Sequence, residues 1–191
     1  MDGKSHNGMV STLRSLLLAV LAVLALAGAL VWSGAYDVAA DVPHWPLTER
    51  LLQTVRERSM IVRERGIVVP KDLGRPERIL NGAGLYAAMC TDCHLAPGET
   101  ETELRRGLYP QPPAFAQAGV DDPAMAFWAI KHGVKLTAMP AWGRSHTDAQ
   151  IWDMVAFLLQ LKGMPAARYR ALVAAAPPDE DDAHGMQMHG H

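Results

Sequence analysis

One unbroken run of apolar residues stands near the start of the chain. No charged residue occurs between positions 15 and 35, and nearly every side chain there is apolar. About 20 such residues, as a helix, are enough to cross the hydrocarbon core of a membrane. Lys4 and Arg14 precede the run and no basic residue follows it closely, which keeps residues 1–14 in the cytoplasm and exports the remainder. The pattern predicts a transmembrane anchor over residues 15–35.

Two other interpretations of this run remain open. A signal peptide cleaved at Ala27-Gly28-Ala29 would deliver the same downstream residues to the same compartment, although this small-residue site lies inside the run rather than behind it. A buried core helix is disfavoured because the run has no polar face. Met9 is an alternative start of the chain, since residues 1–8 are polar.

Residues 36–75 are predicted to be a connector that contains one short amphipathic helix. This helix is expected from Leu51 to about Arg65, with Thr48 as its cap and Gly66 as its end. Its apolar stripe and charged face suit a helix that packs on its own domain or lies near the membrane. A docking helix for a partner is the alternative.

Residues 76–165 are predicted to form one compact all-α domain. A first helix is expected over Pro76–Met89, and Asp122-Pro123 begins another, with Asp as the cap and Pro in the first turn. Thr147 and Gln150 have the spacing of a capping box and begin the last helix. No segment has a convincing strand pattern.

Residues 166–191 are predicted to be a C-terminal extension, in which residues 174–191 are of low complexity. The final segment carries too little apolar bulk to fold alone. Its His and Met side chains are of the kinds that bind copper, and a solvated disordered terminus is the alternative. The candidate copper ligands are His184, Met186, Met188, His189 and His191.

Charge and composition narrow the function classes only a little. The formal net charge is −2, and the chain lacks the clustered basic residues that a nucleic-acid-binding surface requires. No nucleic-acid partner is therefore expected. The 2 cysteines of the chain fall in a single motif, which is more informative.

That motif is Cys90-Thr91-Asp92-Cys93-His94, the Cys-x-x-Cys-His pattern of c-type haem attachment. Two thiols separated by two residues in a helical turn can reach two vinyl groups on one edge of the macrocycle. The adjacent histidine is then held beneath the iron as an axial ligand. The motif predicts one covalently bound haem c.

Other chemistries of a cysteine pair fit less well. A thioredoxin-like dithiol is expected after a strand in a βαβ unit, whereas a helix precedes this motif. A zinc site needs two further ligands at suitable spacing; His132 and His146 are available, but no second cysteine pair is. A disulfide across so short a loop would add little stability.

A second axial ligand is expected from the loop between the last two predicted helices. Met139 lies there and is followed by a proline that stiffens the chain, while His132 and His146 are the alternatives. His/Met ligation raises the reduction potential relative to bis-His ligation. The other ring nitrogen of His94 needs an acceptor, which a backbone carbonyl near Pro112–Phe115 could supply.

The motifs together resemble class I cytochrome c, particularly the bacterial domains of alcohol dehydrogenase and cytochrome oxidase subunits. The matching segments, between about Asn81 and Leu161, are Gly82…Tyr86…Cys90-Thr91-Asp92-Cys93-His94, Pro113-Ala114-Phe115, Gly133…Met139-Pro140-Ala141-Trp142 and Ile151-Trp152…Val155-Ala156-Phe157-Leu158.

The resemblance implies a role for each of these segments. Cys90 and Cys93 would be the thioether attachment points. His94 would be the proximal ligand and Met139 the distal ligand. Pro113 would lie on the His94 side of the haem. Gly82 and Tyr86 would contact the last helix between Trp152 and Phe157, and Tyr86 would pack on the haem or support the proximal histidine.

These features predict one-electron transfer in a periplasmic respiratory chain, by a carrier rather than an enzyme. The carrier is either free or a subunit of an oxidoreductase complex. It is expected to be anchored in the inner membrane, with its haem domain in the periplasm. Redox proteins are the expected partners, and basic residues near the predicted haem loops form a docking patch or are ordinary surface charge. Those residues are Arg105, Arg106, Lys131, Lys135 and Arg144. Haem-based catalysis or ligand sensing and copper handling by the tail are the alternative functions.

Overall fold

A computed structural model describes residues 3–178 of the chain, with side chains from Met9 onward. Within that range the regular structure is entirely helical and no strand occurs. The described residues divide into two compact units between His44 and Trp45. The all-α class predicted from the sequence is confirmed.

The first unit is dominated by one long helix, α1, over Gly3–Ser33. Its stretch Met9–Ser33 is long and apolar enough to cross a membrane, and none of it is buried. After the helix, the Tyr36 hydroxyl and the Nδ1 atom of His44 form a hydrogen bond of 2.6 Å. The helix is a candidate membrane anchor, as the apolar run predicts.

The second unit contains the remaining helices. They are α2 (Pro46–Glu64), α3 (Pro76–Met89), α4 (Thr91–His94), α5 (Glu103–Arg106), α6 (Phe115–Ala118), α7 (Pro123–His132), a 3₁₀ turn (Trp142–Arg144), α8 (Asp148–Leu161) and α9 (Ala166–Ala175). The main contact is between α3 and α8, and α9 also packs on α3.

The predicted helix starts are confirmed where a capping motif marked them. Asp122 accepts hydrogen bonds from the N–H groups of Ala124 and Met125 at the start of α7. Thr147 and Gln150 form a complete capping box at the start of α8. Each cap satisfies N–H groups that the first helical turn leaves unpaired.

Two helical segments differ from the prediction. α2 begins at Pro46, with Trp45 before it, so Thr48 is not its cap. Proline at the first position presets a helical φ angle and lacks only an N–H that would have no partner there. α9 was not predicted, yet it orders Ala166–Ala175 within the expected extension.

The crossing of α3 and α8 depends on a glycine. A Cβ atom at Gly82 would lie 1.9 Å from the carbonyl oxygen of Asp153, so only glycine allows this approach. One helical turn later, the rings of Tyr86 and Phe157 are 5.3 Å apart. The predicted contact between the first and last helices of the domain is therefore present.

An ion network closes one end of the same crossing. Arg78 of α3 donates to Asp153 of α8 at 2.6 Å and pairs with Asp72 at 3.1 Å. Asn81 donates to the second carboxylate oxygen of Asp153 at 3.1 Å. Because Asp153 is almost fully buried, its charge needs these partners.

Candidate functional site

One cavity brings together the site residues that the sequence predicts in the described part of the chain. It has a volume of about 430 Å³, and its wall is mostly apolar. It is lined, among others, by Tyr86, Cys90, Cys93, His94, Pro113 and Met139. These residues are spread over more than fifty positions in the sequence, so the fold has collected them.

The two cysteines lie at the junction of α3 and the short helix α4. The N–H of Cys90 donates to the carbonyl of Tyr86 at 3.0 Å, which completes the last turn of α3. The N–H groups of Cys93 and His94 both donate to the Cys90 carbonyl, at 3.2 and 2.8 Å. This tight turn holds the side chains of all three motif residues at one cavity, with both thiols free.

The surroundings of the thiols disfavour a redox dithiol. Burial raises the pKa of the Cys90 thiol to about 12. Burial also raises the pKa of Cys93, with a further contribution from Asp92. Redox-active Cys-x-x-Cys pairs depend on a lowered thiol pKa, which increases the thiolate fraction at neutral pH. The environment here acts in the opposite direction.

His94 is held in one orientation and one tautomer. Its Nδ1 atom lies 2.9 Å from the carbonyl oxygen of Pro113. Since a carbonyl only accepts, Nδ1 carries the proton and donates it, which leaves Nε2 with a free lone pair. The ring stacks on Phe115 with centroids 4.5 Å apart. Burial lowers the pKa of His94, against the opposing effect of the Pro113 hydrogen bond, and favours the neutral ring.

Two further side chains brace this side of the cavity. Arg105 of α5 donates from Nη1 to the Cys93 carbonyl at 3.0 Å and also to the carbonyl of Pro112. The Tyr86 hydroxyl donates to the Leu95 carbonyl at 2.7 Å. Arg105 thereby connects the cysteine motif to the segment that carries the acceptor of His94. Sequence analysis assigned Arg105 to a surface patch and missed this contact.

Met139 approaches the cavity from a constrained loop. Gly133, which ends α7, has a φ of 65°, and a Cβ atom there would lie 2.7 Å from the Met139 carbonyl oxygen. The N–H of Val134 donates to that oxygen at 3.2 Å, and the N–H of Met139 donates to Thr137 at 3.1 Å. The loop therefore closes on itself at Gly133 and holds Met139 at the cavity wall.

The histidines considered as alternative ligands lie elsewhere. His132 contacts the ring of Trp128, and buried His146 contacts the ring of Trp142. Neither is among the residues that line the cavity. Across the described residues, no group of three His, Cys, Asp or Glu side chains is arranged to hold a metal ion. The candidate copper ligands of the tail, His184 to His191, lie outside the described residues.

Basic residues of the expected docking patch have partners within the domain. Lys131 pairs with Asp148 at 2.6 Å, and Arg106 pairs with Glu101 at 3.5 Å. Arg105 donates to backbone carbonyls.

Met60 of α2 is a second residue that sequence analysis missed. It lines the same cavity as Cys90, Cys93, His94 and Met139.

The comparison with known families fits this geometry. Residues 77–158 match the model of the family described as cytochrome c oxidase, cbb3-type, subunit III. The matched segment is a class I cytochrome c-like domain. No curated protein and no solved structure matches the chain.

The cytochrome c domain extends from α3 to α8, so that α1, α2 and α9 lie outside the family match. A domain of this family indicates haem binding, electron transfer and redox protein partners. The residues present are suited to a haem: a neutral imidazole with a free Nε2 and a thioether face one apolar cavity that also receives two thiols.

Proposed function

We propose that this protein transfers single electrons through one covalently attached haem c with His/Met ligation. The observation that carries the proposal is the convergence of Cys90, Cys93, His94 and Met139 on one apolar cavity. The two thiols would form the thioether bonds. The haem would supply a one-electron iron couple, and no group of the protein needs to react during turnover.

The chain's own residues would orient the ligands and exclude water. His94 would bind the iron through Nε2, with Pro113 fixing the ring through Nδ1. Met139 would bind from the opposite side. Tyr86 would support the proximal segment through its hydrogen bond to the Leu95 carbonyl. A thioether ligand and an apolar wall both raise the reduction potential, since they disfavour the more highly charged ferric iron.

The location of the domain follows from the candidate anchor. With residues 15–35 spanning the inner membrane and a basic N-terminus in the cytoplasm, the haem domain would lie in the periplasm. Assembly of c-type haem on an exported chain agrees with that orientation. The domain would then pass electrons between redox proteins of a respiratory chain at the membrane surface.

Optical spectra of the chain purified from a host that matures c-type cytochromes test the proposal. The ferric protein should have the near-infrared band of thioether ligation, and carbon monoxide should not alter the ferrous spectrum. Met139→Leu should abolish the band and open the iron to carbon monoxide. Met164→Leu is the control, because Met164 is a buried methionine of the same domain that does not line the cavity.

The opposite result would favour haem-based catalysis or ligand sensing. Carbon monoxide would then bind the wild-type ferrous protein readily, and Met139→Leu would change neither the near-infrared spectrum nor the rate of binding. Absence of covalent haem after denaturation would overturn the attachment through Cys90 and Cys93.

A further inference from the structure

Helix α2 lies outside the family match and has two different apolar faces. On one side it packs against α7, and its residue Met60 lines the cavity that Cys90, His94 and Met139 also line. Leu52 and Arg56 are also half-buried and lie within about 80° of Met60 around the helix axis. This face accounts for the attachment of α2 to the cytochrome c domain.

The second apolar face of α2 is exposed. We call it the outer stripe, consisting of Leu47, Leu51, Val55 and Val62, whose exposed fractions are 80%, 61%, 57% and 57%. Spacings of four, four and seven residues place these side chains in one row along the helix. The row lies roughly a third of a turn away from the face that packs on α7. Exposed apolar side chains gathered in one row indicate a contact surface more often than scattered ones do.

Charge is distributed unevenly around the outer stripe. Arg58 falls within the row, and Arg65 follows the helix beside its C-terminal end; both are exposed. By helical geometry, Glu49, Glu57 and Glu64 lie roughly 125° or more from the centre of the row. The apolar row therefore contains one positive charge, has a second at its C-terminal end, and is separated from the negative charge of the same helix.

We propose that the outer stripe of α2 lies in the interface of an anionic lipid membrane. An apolar row with one arginine within it and another at its end has the composition of an interfacial helix, in which the arginine stems extend to the headgroups. Only residues 34–45 separate the end of α1 from α2, and these can span at most roughly 40 Å. This short tether raises the effective concentration of the stripe at the membrane, so a row of four residues suffices. The inference rests on the proposed anchoring.

Spin labels on the full-length, haem-loaded chain test this contact. Val55→Cys places a nitroxide in the outer stripe, and Gln53→Cys places one on an exposed position nearly opposite it. Both proteins are reconstituted into vesicles of phosphatidylcholine mixed with phosphatidylglycerol. The Val55 label should collide more often with oxygen, which concentrates in lipid, and less often with a water-soluble nickel complex than the Gln53 label.

Two outcomes would overturn the inference. Equal access of the nickel complex to both labels would mean that the stripe faces water. Protection of the Val55 label from oxygen and nickel alike would mean that protein covers it, either a second copy or a partner.

The contribution of positive charge is tested by Arg58→Gln, which should reduce the difference in oxygen and nickel collision rates between the two labels. Arg63→Gln removes the same charge away from the stripe and should leave that difference intact.

The failure of this inference can be distinguished from failure of the proposed function. Wild-type protein treated with the label reports whether Cys90 and Cys93 are blocked by haem. Extraction of native membranes with alkaline carbonate reports whether α1 anchors the chain. A covalently bound haem on an anchored chain, together with a water-exposed Val55 label, would overturn the lipid contact alone.

Discussion

At the scale of single residues, the orientation of His94 depends on a chain of contacts through the backbone. Arg105 holds the carbonyl of Cys93 and that of Pro112, and the next carbonyl, that of Pro113, accepts the hydrogen bond from His94. Two segments distant in sequence are thereby fixed around one imidazole. Arg105 also places a positive charge close to the proposed iron ligand.

Replacement of Arg105 should affect both stability and redox behaviour. Arg105→Gln should lower the free energy of unfolding by roughly 1.5–3 kcal/mol, the scale of hydrogen bonds to a charged group. It should also lower the reduction potential, because loss of a nearby positive charge favours the ferric state. Urea unfolding and redox titration measure the two effects.

Arg106→Gln is the matched control for this prediction. Arg106 is the adjacent residue of α5, but its side chain is exposed and pairs with Glu101 at 3.5 Å. Its loss should change stability by less than about 1 kcal/mol. If both variants had the same potential as the wild type, Arg105 would have no influence on the iron.

The site residues found by sequence analysis differ in kind from those it missed. Cys90, Cys93 and His94 form a contiguous motif, and Met139 stands in a loop bounded by Gly133, so local sequence suffices to predict them as candidate site residues. Arg105 and Met60 enter the site through contacts between separate segments. The spacing of residues along the sequence does not predict such contacts, because they depend on how whole helices pack.

At the scale of helices, the same distinction applies to the fold. The starts of α7 and α8 were predicted because the caps at Asp122 and Thr147 satisfy backbone groups locally. α9 has no such signal. It is held by tertiary contacts of Tyr169, whose ring lies 6.4 Å from that of Tyr86 and 6.1 Å from that of Phe157.

The ion network across α3 and α8 should make stability depend on acid pH. The hydrogen bond with Arg78 is the main cause that lowers the pKa of Asp72 in the folded protein. In the unfolded chain the pKa of an aspartate is about 3.9. Because the pKa of Asp72 is lower in the folded protein, the ionised carboxylate stabilises the fold at pH values above about 3.9. This stabilisation is lost as the pH falls through the pKa of the folded state.

Asp72→Asn should therefore cost more stability at about pH 6 than at about pH 3. Urea unfolding of the haem-loaded wild type and variant at both pH values measures the difference. Glu77→Gln is a suitable control, since Glu77 is exposed and pairs with Arg75 at the longer distance of 3.8 Å. A cost for Asp72→Asn that does not change with pH would show that the carboxylate charge contributes nothing.

At the scale of the whole molecule, the cavity is large for the domain that contains it. Its volume is about 430 Å³, and its mostly apolar wall includes side chains of α3, α7 and α8. Apolar surface contributes to stability when an apolar group covers it. We therefore expect the domain to depend on the proposed haem for stable folding.

The chain with Cys90→Ala and Cys93→Ala, produced without haem, should lack a fixed tertiary structure. Near-ultraviolet circular dichroism should show no cooperative melt, because the tryptophan environments in the domain depend on the packed core. Far-ultraviolet signal from α1 should persist. A cooperative near-ultraviolet transition in this variant would contradict the prediction.

The packing of α9 has a consequence for the order of events during synthesis. A chain grows from its N-terminus, and its parts begin to fold as they emerge. Tyr86 is made early, but its partner Tyr169 lies close to the end of the described chain. The contact between Tyr86 and Tyr169 can form only after the chain has been made as far as Tyr169. Under the proposed function, this delay would leave time for a haem to be attached at Cys90 and Cys93 before the packing around Tyr86 is complete.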